Sequence, residues 1–219
     1  MKLYRYRNVN INTYHELLHN EIWYSKYSEL NDPFEGMYIN NSNAGDFDFL
    51  VATLRVCCFS KRDNSLLLWA HYADAHRGIC LEYEVEDTVY ATQFFDVTYS
   101  NSLPILEKID RYPKGHPVEG KLSMHIDKEG AIFRNKSDDW SYEEECRTLR
   151  ISEHPGSKGE SATFPGKLTG IRFGLRSLPS TVKAIHKILS ARSDVMFQKA
   201  KLRNNKYELY FESVDRSLL

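Results

Sequence analysis

The chain has 219 residues, 42% of them hydrophobic and 27% charged, with a formal net charge of −1. This is ordinary globular composition, and it excludes an overall basic field drawing the chain to nucleic acid or membrane. No apolar run approaches the ~20 residues needed to span a bilayer, and the opening MKLYRYRNVNINTYHELL is not patterned as a secretory signal.

The four cysteines, Cys57, Cys58, Cys80 and Cys146, fit no zinc-ribbon spacing. A chain of this length does not need disulfides to fold, so a reduced, cytoplasmic protein with one domain over 1–219 is expected. In chain order, Lys2–Arg7 alternates basic with aliphatic or aromatic residues and predicts a strand. Ile11–His19 predicts a helix capped by Asn10 or Asn12, with Ile11, Tyr14, Leu17 and Leu18 on one face. Glu21–Ser25 predicts a strand, SELNDPFEG a turn, Asp46–Thr53 a short helix and Leu54–Ser60 a buried strand. Asp63–Ala73 predicts a helix capped by Asp63 or Asn64, buried through Leu66, Leu67, Trp69, Ala70 and Ala73, with Tyr72 also buried. Gly78–Val85 and Val89–Tyr99 follow as strands, then Leu103–Tyr112 and Lys121–Arg134 as helices. Glu143–Ile151 and Leu168–Phe173 predict strands, separated by a loop over His154–Gly166 that is rich in Gly, Ser and Pro. Leu178–Leu189 predicts a helix. Asp194–Lys201 and Tyr207–Glu212 predict a closing hairpin turned at Arg203-Asn204-Asn205. The absence of a regular βαβ rhythm points to α+β with a mainly antiparallel sheet.

Four segments hold unusual chemistry. In WAHYADAHRG, His71 and Asp74 share a helix face and His76 lies near the helix end. A metal-dependent hydrolase would use these three as ligands. The competing expectation is that His76 bonds terminal helix carbonyls and His71 packs beside Trp69. In NDPFE, a pocket-shaping loop competes with a rigid turn that tucks Phe34 into the core, and the turn is favoured. In YRYR, strand alternation puts Arg5 and Arg7 on one face and Tyr4 and Tyr6 on the other. Such arginines suit phosphate, or simply face solvent on an edge strand. In WSYEEECRTLR, period two gathers Glu143, Glu145 and Arg147 on one face. That face is either a solvated Glu–Arg ladder or a carboxylate presented from a rigid strand into a cleft, with Trp140 nearby.

LYRYR, WYSKYSELNDPFEG, CCFSKRDNSLLLWAHYADAHRGICLEY, WSYEEECR and IRFG resemble a widespread bacterial family of unknown function, DUF2971, over Leu3 to about Gly174. The order of segments is also similar to the ADP-ribosyltransferase superfamily, particularly toxins that modify DNA bases. That resemblance implies a split α+β sandwich with NAD as co-substrate in the cleft, and a late strand supplying the catalytic glutamate. It implies Glu145 as the catalytic carboxylate, with Glu143 second. Arg5 and Arg7 are expected at the pyrophosphate and Tyr24 or Trp69 stacked on nicotinamide, with Tyr6, Ser60 and His71 completing the cofactor-binding set. ADP-ribose would pass to a macromolecular acceptor, nucleic acid or protein, or to water, in a bacterial defence or toxin role. Replacing Glu145 by Gln is expected to cost ~10²-fold in turnover and hardly any folding stability. The alternative is a non-enzymatic binding or sensing module in which the glutamates are surface and the aromatics core. The two separate on incubation with NAD.

Overall fold

The computed structural model describes residues 1–40, 51–106 and 131–215. Its strands are β1 (Lys2–Arg7), β2 (Glu21–Lys26), β3 (Ile39–Asn40), β4 (Leu54–Ser60), β5 (Ile79–Glu84), β6 (Phe94–Asp96) and β7 (Thr98–Tyr99). After these come β8 (Ile105–Leu106), β9 (Asn135–Lys136), β10 (Glu145–Ile151), β11 (Gly159–Thr163), β12 (Lys167–Phe173), β13 (Met196–Leu202) and β14 (Leu209–Ser213). The helices are α1 (Ile11–His19), α2 (Leu66–His71), α3 (Asp87–Gln93), α4 (Ala131–Arg134) and α5 (Pro179–Ile188).

The fold is α+β. One ten-stranded sheet runs β11-β2-β4-β1-β5-β12-β13-β14, with β10 on the far edge of β4 and β6 on β10. Within this sheet every pair is antiparallel except β12 with β13, and two short parallel pairs, β3 with β8 and β7 with β9, lie apart from it. Helices α1 and α5 cover the face carrying Leu3, Leu81 and Ile171, while α2 covers the opposite face through Leu68 and Trp69. No helix among the described residues is long and apolar enough to cross a membrane.

The feature that makes the site is a fork. Strand β10 follows β4 along its whole length, from Glu145 opposite Ser60 to Ile151 opposite Leu54. The other edge of β4 meets β1 only where Tyr4 faces Ser60, and meets β2 only where Ser25 and Lys26 face Val56 and Arg55. Strands β1 and β2 therefore diverge from β4 on either side of Cys57–Phe59, and the sheet is split there.

Several elements differ from expectation, each for a local reason. Helix α2 starts later, because Ser65 caps it by accepting from the Leu68 N–H, while Asp63 pairs with Arg172 at 2.9 Å. Its buried side is Leu68, Trp69 and Ala73, whereas Leu66, Leu67 and Ala70 are exposed and Tyr72 is half-buried. Helix α1 has its Asn10 cap, but Ile11 and Leu18 are exposed because Arg5 draws Glu16 inward. The first part of Val89–Tyr99 is helical, with the acidic Asp87 in the first turn of α3 favouring the start of that helix. The loop over His154–Gly166 contains β11, which pairs with β2. It is pinned there by the fully buried Arg55, whose guanidinium donates to the carbonyls of His154, Pro155 and Ser157. The closing hairpin forms as expected. The helices expected over Asp46–Thr53, Leu103–Tyr112 and Lys121–Arg134 lie largely outside the described residues. The described parts are helical at 51–53 and in α4, and extended in β8.

Candidate active site

A cleft of about 200 Å³ opens at the fork. Because the strands diverge there, side chains from both faces of the sheet reach it: Tyr4, Tyr6, Ser60 and Glu145 from one, Arg5 and Arg7 from the other.

The three-glutamate run reaches the cleft through a backbone device. Residues Asp138–Glu143 form a 3-10 turn capped by Ser137. Glu144 then takes a left-handed conformation, φ 45°, which reverses the direction of the chain before β10 begins. The strand therefore starts at Glu145 rather than Glu143, and strand periodicity does not relate the two residues. The turn nevertheless brings both carboxylates into the cleft and leaves Glu144 outside, 3.5 Å from Arg62. Ser60 fixes this arrangement by donating to the Glu143 carbonyl at 2.6 Å.

Beneath the cleft lies a buried ionic cluster. Arg147 is fully buried and every one of its donors is used. Nε and one Nη bond Glu145 at 2.7 and 3.2 Å, both Nη atoms grip Glu35 at 2.8 and 2.6 Å, and the Phe133 carbonyl accepts the last N–H at 3.0 Å. The Lys136 ammonium bridges Glu143 at 2.6 Å and Glu145 at 3.0 Å, and lies 3.5 Å from Glu35. It also sits 4.8 Å above the Trp140 ring, a cation–π contact that offsets part of its lost hydration. The Tyr99 hydroxyl accepts the Glu145 backbone N–H at 2.8 Å. Three carboxylates face two cations, so the cluster has a formal excess of one negative charge.

The two cleft carboxylates are driven apart. Burial alone would raise the Glu145 carboxyl, but the Arg147 guanidinium and the Lys136 ammonium outweigh it and hold the group at about 2. Glu143 goes the other way. Its burial and the neighbouring Glu145 charge raise it more than Lys136 and the Tyr72 hydroxyl lower it. Two acids in one site with opposite shifts are suited to different proton-transfer roles.

Of the arginines lining the cleft, Arg5 is buried and spent: it donates to Glu16 at 2.9 Å and to the Trp23 carbonyl at 2.9 Å. Arg7 is held loosely, 3.4 Å from the second Glu16 oxygen, and its buried Nε has no hydrogen-bond partner. Two arginines against one glutamate leave this group with a formal excess of one positive charge.

Of the residues expected to form the site, Glu145, Glu143, Arg5, Arg7, Tyr6 and Ser60 line the cleft. Tyr24 and Trp69, expected to stack on a ligand ring, are buried in the packed interior. Tyr24 lies in the core under the Arg150 guanidinium, and Trp69 stands edge-on behind Tyr6 at 5.2 Å. His71 is exposed and packs among Trp140 and Tyr142 rather than beside Trp69. Asp74 is held by Arg77 through two bonds of 2.9 and 2.8 Å, and His76 stacks on Trp69. Among the described residues, no group of three or more His, Cys, Asp or Glu side chains is arranged to hold a metal ion. The NDPFE turn is the reverse of the favoured expectation: Phe34 is 60% exposed, and Asp32 and Glu35 are the buried residues. Asn31 and Glu35 line the cleft, in keeping with the pocket-shaping alternative for this turn. Lys136 was not foreseen, because nothing marks it among the charges of FRNKSDDW.

Residues 68–148 match the family described as "Protein of unknown function (DUF2971)". This stretch contains Tyr72, Lys136, Glu143, Glu145 and Arg147, while Arg5, Arg7, Asn31 and Glu35 lie outside it. No curated protein and no solved structure matches the chain.

Proposed function

We propose that the cleft binds NAD, cleaves its nicotinamide–ribose bond, and passes ADP-ribose to a macromolecular acceptor or to water. The observation behind this reading is the polarity of the cleft, with an excess negative charge around Glu143 and Glu145 and an excess positive charge at Arg5 and Arg7. NAD has matching polarity, a cationic pyridinium on one side of its ribose and an anionic pyrophosphate on the other. Arg7, which lines the cleft and is held by Glu16 only at 3.4 Å, is the pyrophosphate contact; Arg5 holds the strand and adds field.

Breaking the glycosidic bond builds positive charge on the ribose. An ionised carboxylate already in place stabilises that charge without reorganising, and Glu145, fixed by Arg147, is such a group. Glu143, whose carboxyl is raised above the ordinary carboxylate value by its burial, is suited to accept the proton of the attacking hydroxyl or water. The cleft is smaller than the roughly 300–1,000 Å³ of sites that enclose a drug-sized ligand. It accommodates the nicotinamide riboside portion, and the adenosine end runs over the rim. In a cell such an activity suits a bacterial defence or toxin protein.

The test is incubation of the purified protein with NAD, following free nicotinamide by mass spectrometry and NAD binding by calorimetry. Release is expected, reduced ~10²-fold by Glu143→Gln, with NAD binding weakened by Arg7→Gln. A protein that neither binds nor cleaves NAD would overturn the proposal. One observation favours a second reading, a binding module: every Arg147 donor is satisfied within the protein, as in a purely structural polar core. Under that reading Glu143→Gln changes no turnover because there is none.

A further inference from the structure

Two separate segments meet at the Glu143 carboxylate, and a third reaches it through one of them. Glu143 Oε1 accepts the Tyr72 hydroxyl at 2.6 Å, and Oε2 accepts Lys136 at 2.6 Å. Tyr72 lies 71 residues away, directly after α2, and its own oxygen accepts the side-chain N–H of Asn31, the first residue of NDPFE, at 3.0 Å. A phenol has one proton to donate. With Asn31 donating to its oxygen, that proton is directed at Glu143.

We propose that Tyr72, oriented by Asn31, is a positioning residue whose hydroxyl supports the ionised form of Glu143 against its burial and the neighbouring Glu145 charge, so that Glu143 can exchange a proton at the cleft. The use of that proton in turnover rests on the NAD-cleaving reading; the arrangement itself does not. The contrast with Glu145 supports the assignment. Glu145 accepts two bonds from Arg147 and one from Lys136, which hold it ionised. Glu143 has one neutral donor and a share of one cation. Its surroundings are otherwise Glu145 on β10, Tyr142 on its own turn, Tyr99 on β7, and Glu35 behind Lys136. Within this set Tyr72 is the contact that can be removed without changing the charge of the cluster. Its loss withdraws a donor from the ionised form and therefore makes the carboxyl harder to ionise.

Carbon-13 NMR titration of the glutamate carboxyls, made without substrate, reads this directly. Tyr72→Phe is expected to raise the Glu143 midpoint by about 1 to 2 pH units, the equivalent of one hydrogen bond to a charged group. Asn31→Ala, at an exposed side chain, is expected to raise it by less. If the nicotinamide-release assay has a pH limb from Glu143, that limb should move by the same amount. A Glu143 midpoint unchanged in both folded variants overturns the proposal. If Tyr72→Phe does not fold, Asn31→Ala decides alone, because it leaves the phenol in place and an unmoved midpoint then removes the role assigned to the pair. Silence towards NAD with shifted midpoints would defeat the functional reading and leave this one standing. Turnover with unshifted midpoints would do the opposite.

Discussion

Glu145 and Glu143 lie two residues apart and should respond oppositely to loss of charge. Glu145 is engaged by Arg147 and Lys136 and is buried, so Glu145→Gln leaves those cations under-compensated. A loss of about 3 kcal/mol or more is expected in urea unfolding at neutral pH. This replaces the expectation from sequence that the change would be nearly silent for folding, which assumed a half-exposed carboxylate. Glu143→Gln removes the cluster's excess negative charge; its single amide oxygen still accepts from Lys136 while its amide N–H donates to the Tyr72 oxygen, and stability should hold or rise. The signs follow from the shifts. Glu145 is depressed in the fold, so its contribution is complete above the ordinary value of 4.5 and is lost as pH falls towards about 2. Glu143 is raised, so its contribution is favourable below 4.5 and is lost as pH rises through its folded value. Equal stability of the two variants at pH 7 would contradict this division.

At the level of elements, the connection from α2 to β5 is under strain. Asp74, Ala75 and His76 all have left-handed backbones, with φ of 47°, 49° and 70°. They are held there by Ala75 and His76 N–H groups returning to the Ala70 and Trp69 carbonyls at 3.3 and 3.1 Å. A side chain in this region costs roughly 1–2 kcal/mol. The turn brings Gly78 against β1, where a Cβ would lie 2.2 Å from the Arg7 carbonyl oxygen, so only glycine permits the approach that positions Arg7 at the cleft. Ala75→Gly should therefore stabilise the protein. The relief of ~1–2 kcal/mol exceeds glycine's extra unfolded-state entropy of roughly 0.4–1 kcal/mol, for a net gain of about 0.5–1 kcal/mol in thermal or urea unfolding. A destabilised variant would show that the left-handed turn is not strained by its side chains.

Over the whole molecule the split divides the sheet unequally. Strand β4 is bound closely to β10 but to β1 through one residue pair, whereas β1, β5 and β12 pair along their length. The four cysteines are free, and three of them report on the two sides. Cys57 and Cys146 are on β4 and β10, and Cys80 is on β5. All three are buried, which pushes the Cys57 and Cys146 thiols to about 11 and about 12 and raises that of Cys80. Thiolate is scarce at pH 8, so alkylation in the native state should be slow and four thiols should react after denaturation without reductant. In sub-denaturing urea, Cys57 and Cys146 should be alkylated ahead of Cys80 as the β4–β10 side opens at the seam. Identical rates would mean that the sheet opens as one unit.

Most strands, α1 with its Asn10 cap, α5 beginning at Pro179, and the closing hairpin were legible from sequence because they depend on local periodicity, capping and turn chemistry. So was the suspicion attached to WSYEEECR, since carboxylates are costly in a buried strand and call for a reason. The left-handed Glu144 was not legible, and with it went the start of β10, because a single φ is chosen by what the flanking residues gain on either side. Nor could sequence distinguish which charges are buried. Glu35, Lys136 and Arg147 resemble surface residues until the fold removes their water and brings them together across 112 positions of chain. Trp69 and Tyr24 show the converse: aromatics that suit a binding face by chemistry were taken into the core by packing. Local preference determined the elements of this protein. The cleft, its polarity and the opposed states of its two glutamates arise from long-range burial, which depends on the neighbours that only the tertiary structure supplies.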